Sequence, residues 1–184
     1  MSLFAHHPIA EAVFYHLGKN ETLHITSSSY YSPNLEAPFR AVFGPESSAT
    51  EAANQWTTGT PSYDINGQFT GTYSCCSTMV DGEAVTGEWI QVESSAPHIV
   101  REFSIMANYL NPSRAPRAFV LAGSLDNIEW TALCCASGID AWAPKQTRTF
   151  EVGKETPMTH FRLIVTSTAG EEGWLTIDKV HFFK

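Results

Sequence analysis

From Glu88 onward the sequence runs as short apolar segments of period two, each closed by turn residues, and few folds accept that pattern. Residues 88–93 set Trp89 and Gln91 on one side and Ile90 and Val92 on the other. Segments 99–106, 118–124, 130–133, 148–152, 161–166 and 174–183 repeat the theme. Gly123, Ser124, Asp126 and Asn127 supply a turn after one of them, because glycine bends freely and short polar side chains bond their own backbone. Repeated short strands joined by turns predict an all-β sandwich or barrel.

The first part of the chain reads differently. Pro8 near the start, Gly18 at the end, and Ile9, Val13, Phe14 and Leu17 at helical spacing predict a short amphipathic helix. Leu23 and Ile25 then alternate as a strand, and residues 27–34, rich in serine and tyrosine, read as a loop. A long polar stretch over 44–74 carries Trp56, Tyr63, Phe69 and Tyr73 among small polar residues. Loops of that length are commonly functional or hold short irregular strands. A chain of 184 residues, 43% hydrophobic, has material for one core, so one domain is expected. The predicted organisation is a helical extension over 1–21 and a β-sandwich over 22–184.

Charge and motifs narrow the function. A net charge of −8 with no basic run argues against nucleic acid or an anionic membrane as partner. No apolar stretch reaches the ~18 residues of a membrane span, and no signal peptide is visible, so a cytoplasmic or virion location is expected. Cys75–Cys76 and Cys134–Cys135 are adjacent pairs, poorly spaced for zinc, and read as free thiols; a vicinal disulfide is the alternative. The chain has no His-Glu-x-x-His, Gly-x-Ser-x-Gly, phosphate-binding glycine loop or Cys-x-x-Cys. It is therefore not expected to be an enzyme.

Several segments together, in order, resemble the discoidin, or coagulation factor 5/8 type C, family. Gly87, Trp89, Ile90 and Val92 resemble its "G-x-W-hydrophobic-x-hydrophobic" strand. The run from Pro116 through Phe119, Gly123, Ser124 and Asp126 to Trp130 resembles its "G-S-x-D-G-x-x-W" hairpin. Phe161, Arg162 and Leu163 are similar to a late strand, residues 175–182 to the closing strand, and residues 25–30 to the opening "I-x-A-S-S" segment; Trp56 would follow the first long loop. The resemblance covers about 22–184 and implies a galactose-binding-like jelly-roll sandwich. Trp89 and Trp130 are then expected in the sandwich core. Arg162, within an apolar strand, is expected to need a buried carboxylate or backbone carbonyls.

The departures bear on function. The family's Asp-Gly near a bound calcium has no clear counterpart: Ala41 to Gly44 keeps the glycine without the aspartate, while Asp81-Gly82 reads as a turn. No cofactor is expected, though backbone carbonyls leave a calcium site open. The fucose-binding His and Arg-x-Asp pattern and the disulfide between the domain ends are missing. What the resemblance implies is a non-catalytic module recognising carbohydrate through loops at one end of the sandwich. The site residues it nominates are Tyr30, Tyr31, Trp56, Tyr73, Arg114 and Trp142: aromatics to stack on a sugar face, and Arg114 to bond hydroxyls or a carboxylate. The alternative is a structural or attachment protein of a virus or phage particle, with a protein surface or further copies of itself as partner.

Overall fold

The computed structural model describes residues 23–32, 41–42, 55–170 and 173–183. The predicted N-terminal helix lies outside the described residues. What is described is built from antiparallel strands: β1 (Leu23–Ser27), β2 (Trp56–Thr57), β3 (Ser77–Val80), β4 (Glu83–Thr86), β5 (Glu88–His98), β6 (Glu102–Ala107), β7 (Pro116–Ser124), β8 (Thr131–Ala136), β9 (Thr147–Glu151), β10 (Met158–Thr168) and β11 (Thr176–Phe183). One sheet has the order β1-β5-β10-β7-β8, the other β2-β11-β6-β9, and β3 and β4 form a separate hairpin.

Alternation fixes which side chains meet between the sheets. In β10, Phe161, Leu163 and Val165 face inward, in register with Val92, Ile90 and Glu88 on β5 and with Gly123, Leu121 and Phe119 on β7. A one-residue slip would turn this whole set outward, so the register is strongly specified. The second sheet contributes Phe103, Ile105, Ile177, Val180 and Phe182. Aromatic contacts tie the two layers: Phe119 on β7 meets Phe150 on β9 edge-on at 4.9 Å and Phe103 on β6 at 5.6 Å.

Two glycines serve this architecture, one through close approach and one through its positive φ. A Cβ on Gly87 would lie 2.1 Å from the carbonyl oxygen of Val165, so the entry of β5 can press against β10 only without one. Asp81 and Gly82, at φ 50° and 86°, make the two-residue turn between β3 and β4. At the end of β7, Ser124 Oγ accepts from the amides of Asp126 and Asn127, and Asp126 Oδ1 accepts from those of Ile128 and Glu129. These bonds hold the Asp126 carboxyl below its ordinary value.

Trp89 and Trp130 correct the sequence reading. They lie not between the sheets but on the outer face of the five-stranded sheet, in a second cluster with Val80, Ala122 and Ile164. The β3–β4 hairpin contributes Val80 to that cluster, and β4 also contacts β10. Arg162, which shares that outward parity, lies 4.1 Å from the Trp89 ring and 4.3 Å from the Trp130 ring. Its guanidinium donates to Gln91 Oε1 at 2.9 and 2.6 Å and to Thr78 Oγ1 at 2.8 Å. The partners are thus an amide, a hydroxyl and two π faces rather than a carboxylate; burial lowers the Arg162 pKa to about 10.

Because the strands of both sheets pair antiparallel, β1 and β11 run from opposite starting points. β1 begins at Leu23 opposite Ser94, deep in β5, and β11 ends at Phe183 opposite Glu102, the first residue of β6. The segments leaving β1 and β6 and those entering β7 and β11 therefore gather at the other end.

Candidate functional site

That loop end is held by two buried polar networks. Glu88, 1% exposed at the start of β5, accepts from the hydroxyls of Ser28, Ser29 (2.9 Å) and Ser62 (2.7 Å). A buried carboxylate without a cation is costly, and three hydroxyl donors are what offset it. Ser29 Oγ also accepts from Gly59 N, and Trp56 Nε1 donates to Ser29 O at 2.9 Å. The serines after β1 thus anchor the segment carrying Tyr30 and Tyr31, and Tyr31 N donates to Thr57 O.

The second network holds the β6–β7 connection. Asn108, 3% exposed, donates to Gln55 Oε1 at 2.6 Å and to Asp178 Oδ1 at 2.7 Å, while its own carbonyl oxygen accepts from Leu110 N and Asn111 N. Gln55 in turn donates to Thr57 Oγ1. The short 3-10 turn Pro112–Arg114 follows, and Ala115 N closes it on Pro112 O. Arg114 is therefore presented from a loop whose root is tied to both β2 and β11.

A third approach comes from just before β11. Gly173, at φ 109°, pairs with the backbone of Tyr63, and Leu175 exchanges bonds with Thr58, so the residue between them is fixed from both sides. That residue is Trp174. The Tyr63 hydroxyl donates to Val165 O at 2.9 Å, and burial, followed by the nearby Glu88 charge, raises its pKa well above the ordinary tyrosine value.

Tyr31, Thr57, Arg114 and Trp174 line a pocket of about 240 Å³. The Arg114 guanidinium stands 5.2 Å from the Trp174 ring, within cation–π range. Tyr31 is 62% exposed. The Trp174 Nε1–H is buried and donates to no acceptor among the described residues. Such an orphan donor costs roughly 1–3 kcal/mol unless something fills the site.

Of the residues nominated from sequence, the pocket unites Tyr31 and Arg114. Tyr30 is part-buried and packs against the core. Trp56 and Trp142 reach this end of the sandwich but lie in its interior, at 0% and 6% exposure. Each indole N–H has found a backbone carbonyl, Ser29 O for Trp56 and Pro116 O for Trp142, and Arg148 covers the Trp142 ring at 4.7 Å. Tyr73 is exposed but lies outside the pocket lining, beside the 3-10 turn Ser74–Cys76 that leads into the outer hairpin. Sequence reasoning missed Trp174 and Thr57, since both border strands and read as framework. Among the described residues no three His, Cys, Asp or Glu side chains converge as metal ligands. Cys75 and Cys76 are free thiols with sulfurs 3.8 Å apart, and Cys134 and Cys135 are also free.

No protein-family model matches the chain, and no curated protein matches it in sequence. Solved structures do. A family 32 carbohydrate-binding module of Clostridium perfringens, in complex with GalNAc-β-1,3-galactose, superposes with a TM-score of 0.60 at 15% identity, over 88% of this chain and 95% of that one. The family 32 module of AlyQ, in complex with 4,5-unsaturated mannuronic acid, gives 0.54 at 14% identity, over 86% and 92%. A fucolectin from striped bass (Morone saxatilis) serum gives 0.57 at 16% identity, over 86% of this chain and 45% of that one. The fold is accordingly the discoidin-type, galactose-binding-like sandwich that the sequence segments resemble.

Proposed function

We propose that this domain is a non-catalytic carbohydrate-binding module that seats a sugar in the pocket lined by Tyr31, Thr57, Arg114 and Trp174. The observation that carries the reading is the convergence of an exposed tyrosine, a tryptophan and an arginine on one concave site at the loop end. Aromatic faces take the apolar face of a pyranose, and polar groups fixed around them set its orientation. The networks of Glu88 and Asn108 support this because they hold the contributing loops in place before any ligand arrives, which lowers the cost of binding. The solved modules of the same fold were captured with sugars, which points the same way. The comparisons lend no support to the virus or phage particle reading.

A glycan array with the purified chain tests the proposal. Specific binding that falls about 30-fold or more in Trp174→Ala, with the melting temperature kept within a few degrees, is the expected result. Retention of full affinity in that variant would remove the pocket from the site. Absence of binding to any saccharide would remove the function.

A further inference from the structure

We propose that Cys75 and Cys76 are a redox-responsive dithiol, closed to a vicinal disulfide by a low-molecular-weight disulfide and reopened by thiols. The site stands apart from the loop-end pocket and does not depend on what that pocket binds. A comparison inside the chain isolates it, because the Cys-Cys dipeptide occurs twice. Cys134 and Cys135 lie on β8, where successive side chains point to opposite faces: Cys134 packs against the core and Cys135 is exposed. A bond between them would have to undo that alternation. Cys75 and Cys76 lie instead in the 3-10 turn Ser74–Cys76, whose tighter winding does not set neighbours on opposite faces. Their sulfurs are 3.8 Å apart. A disulfide needs about 2.05 Å, so small side-chain movements close the gap.

Exposure sets the order of events. Cys75 is part-exposed, whereas Cys76 is 2% exposed behind it. Burial, then the Glu88 and Cys75 charges, raises the Cys76 pKa, which keeps its proton on and leaves the oxidant to Cys75. The Cys75 thiol gives its proton to solvent, and its thiolate attacks one sulfur of glutathione disulfide. That S–S bond breaks, a Cys75–glutathione bond forms, and one glutathione thiolate leaves. Cys76 then gives up its proton, its sulfur attacks Cys75 Sγ, and the second glutathione thiolate leaves. The two cysteines are oxidised by two electrons in all; one small disulfide is reduced to two thiols, which take up the two protons.

The product suits a reversible state better than a staple. Adjacent Cα atoms are about 3.8 Å apart across a trans peptide, short of the roughly 4.4–6.8 Å of ordinary disulfides, so the ring is strained and easily reduced. It encloses no length of chain and so gains no loop-closure stabilisation. The strain falls at a junction. Cys76 O accepts from Gly87 N at 2.9 Å and Cys75 O from Trp89 Nε1 at 2.7 Å, so the turn is tied to β5 on either side of Glu88. Oxidation therefore loads the point where the outer hairpin, β5 and the Glu88 network meet.

Treatment of the full chain with excess glutathione disulfide, followed by alkylation and tryptic mass mapping, tests the proposal. Cleavage after Arg40, Arg101, Arg117 and Lys145 separates the pairs, with Cys75 and Cys76 in fragment 41–101 and Cys134 and Cys135 in fragment 118–145. The first fragment should lose two hydrogens, about 2 Da, and recover them with dithiothreitol. The second should form no internal bridge. The oxidised protein should melt a few degrees below the reduced one. Cys76→Ser should stop at the mixed disulfide, keeping one glutathione on Cys75, and Cys75→Ser should take none in that fragment. Two unmodified thiols in 41–101, a lasting glutathione on Cys75 of the unaltered chain, or bridging in both fragments alike would overturn the proposal. So would a bridge that raises the melting temperature, since that bond would be a staple. The mapping uses the unaltered protein, so it decides the matter even where a Cys76 variant folds poorly.

Discussion

Among the arginine–tryptophan contacts of the described residues, two stand in contrasting surroundings. On the outer face of the large sheet, Arg162 lies between Trp89 and Trp130, its nitrogens committed to Gln91 and Thr78 under the β3–β4 hairpin. At the loop end, Arg114 lies against the Trp174 indole and lines a pocket. The first arrangement is closed by side chains from β5, the β3–β4 hairpin and the residue before β8. The second is assembled from β1, β2, β6–β7 and β11 connections and stays open. The pairing of residue types therefore says nothing about function; where in the fold the pair stands is what separates a packed cluster from a pocket lining.

Four measurements can break or sharpen that contrast. The largest effect is expected from Trp130→Ala, which empties a packed site on the closed cluster: about 3–5 kcal/mol, or roughly 10 °C in melting temperature for a domain of this size. Sugar affinity per folded molecule should not change. A stable Trp130→Ala protein would mean that the outer cluster is decoration. Next comes Arg162→Met, which keeps a long apolar stem but strands Gln91 Oε1 and Thr78 Oγ1. Chemical denaturation should show a loss of about 2 kcal/mol, less than a plain hydrogen-bond count suggests because the buried charge itself is costly.

The third effect is a pH dependence that sets in above pH 9. The Cys76 thiol, beside the hairpin and next to Cys75, whose carbonyl accepts from Trp89 Nε1, is pushed up from its ordinary value near 9 by burial, then by the Glu88 and Cys75 charges. The folded thiol keeps its proton while the unfolded one loses it. Its contribution is thus complete below pH 9 and is lost as pH rises above that, at no more than about 1.4 kcal/mol per pH unit. Cys76→Ala should flatten the stability curve between pH 9 and 10; an unchanged slope would count against this placement of the thiol. Smallest of all, Tyr31→Ala at an exposed ring of the pocket should alter stability by about 0.5 kcal/mol or less. A loss matching that of Arg162→Met would erase the distinction between the packed cluster and the pocket.

How much of this was legible beforehand differs between fold and site. The strands from β5 to β11 are visible as alternating segments because each buries one or both faces, and burial is what periodicity records. The β3–β4 hairpin was not, since Glu83 to Thr86 is mostly exposed and bears no apolar rhythm. Only Asp81-Gly82 signalled it, and the strands on either side were too short to support the turn. At the site, Tyr31 and Arg114 were named because they sit in loops. Trp174 was not, because its role depends on Arg114, sixty positions earlier, reaching it in space. Trp56 and Trp142 misled in the other direction. Polar neighbours suggest an exposed ring, yet an indole whose N–H reaches a backbone carbonyl can be buried at little cost.

The antiparallel layout carries a practical consequence for how the domain can be held. The chain enters β1 at Leu23 and leaves β11 at Phe183 on the side away from the pocket, roughly 25 Å off if an eight-residue strand is taken as the ruler. A resin, a sensor surface or a fused reporter attached after Phe183 therefore points the pocket outward into solution. The same attachment made through the β6–β7 connection would cap it.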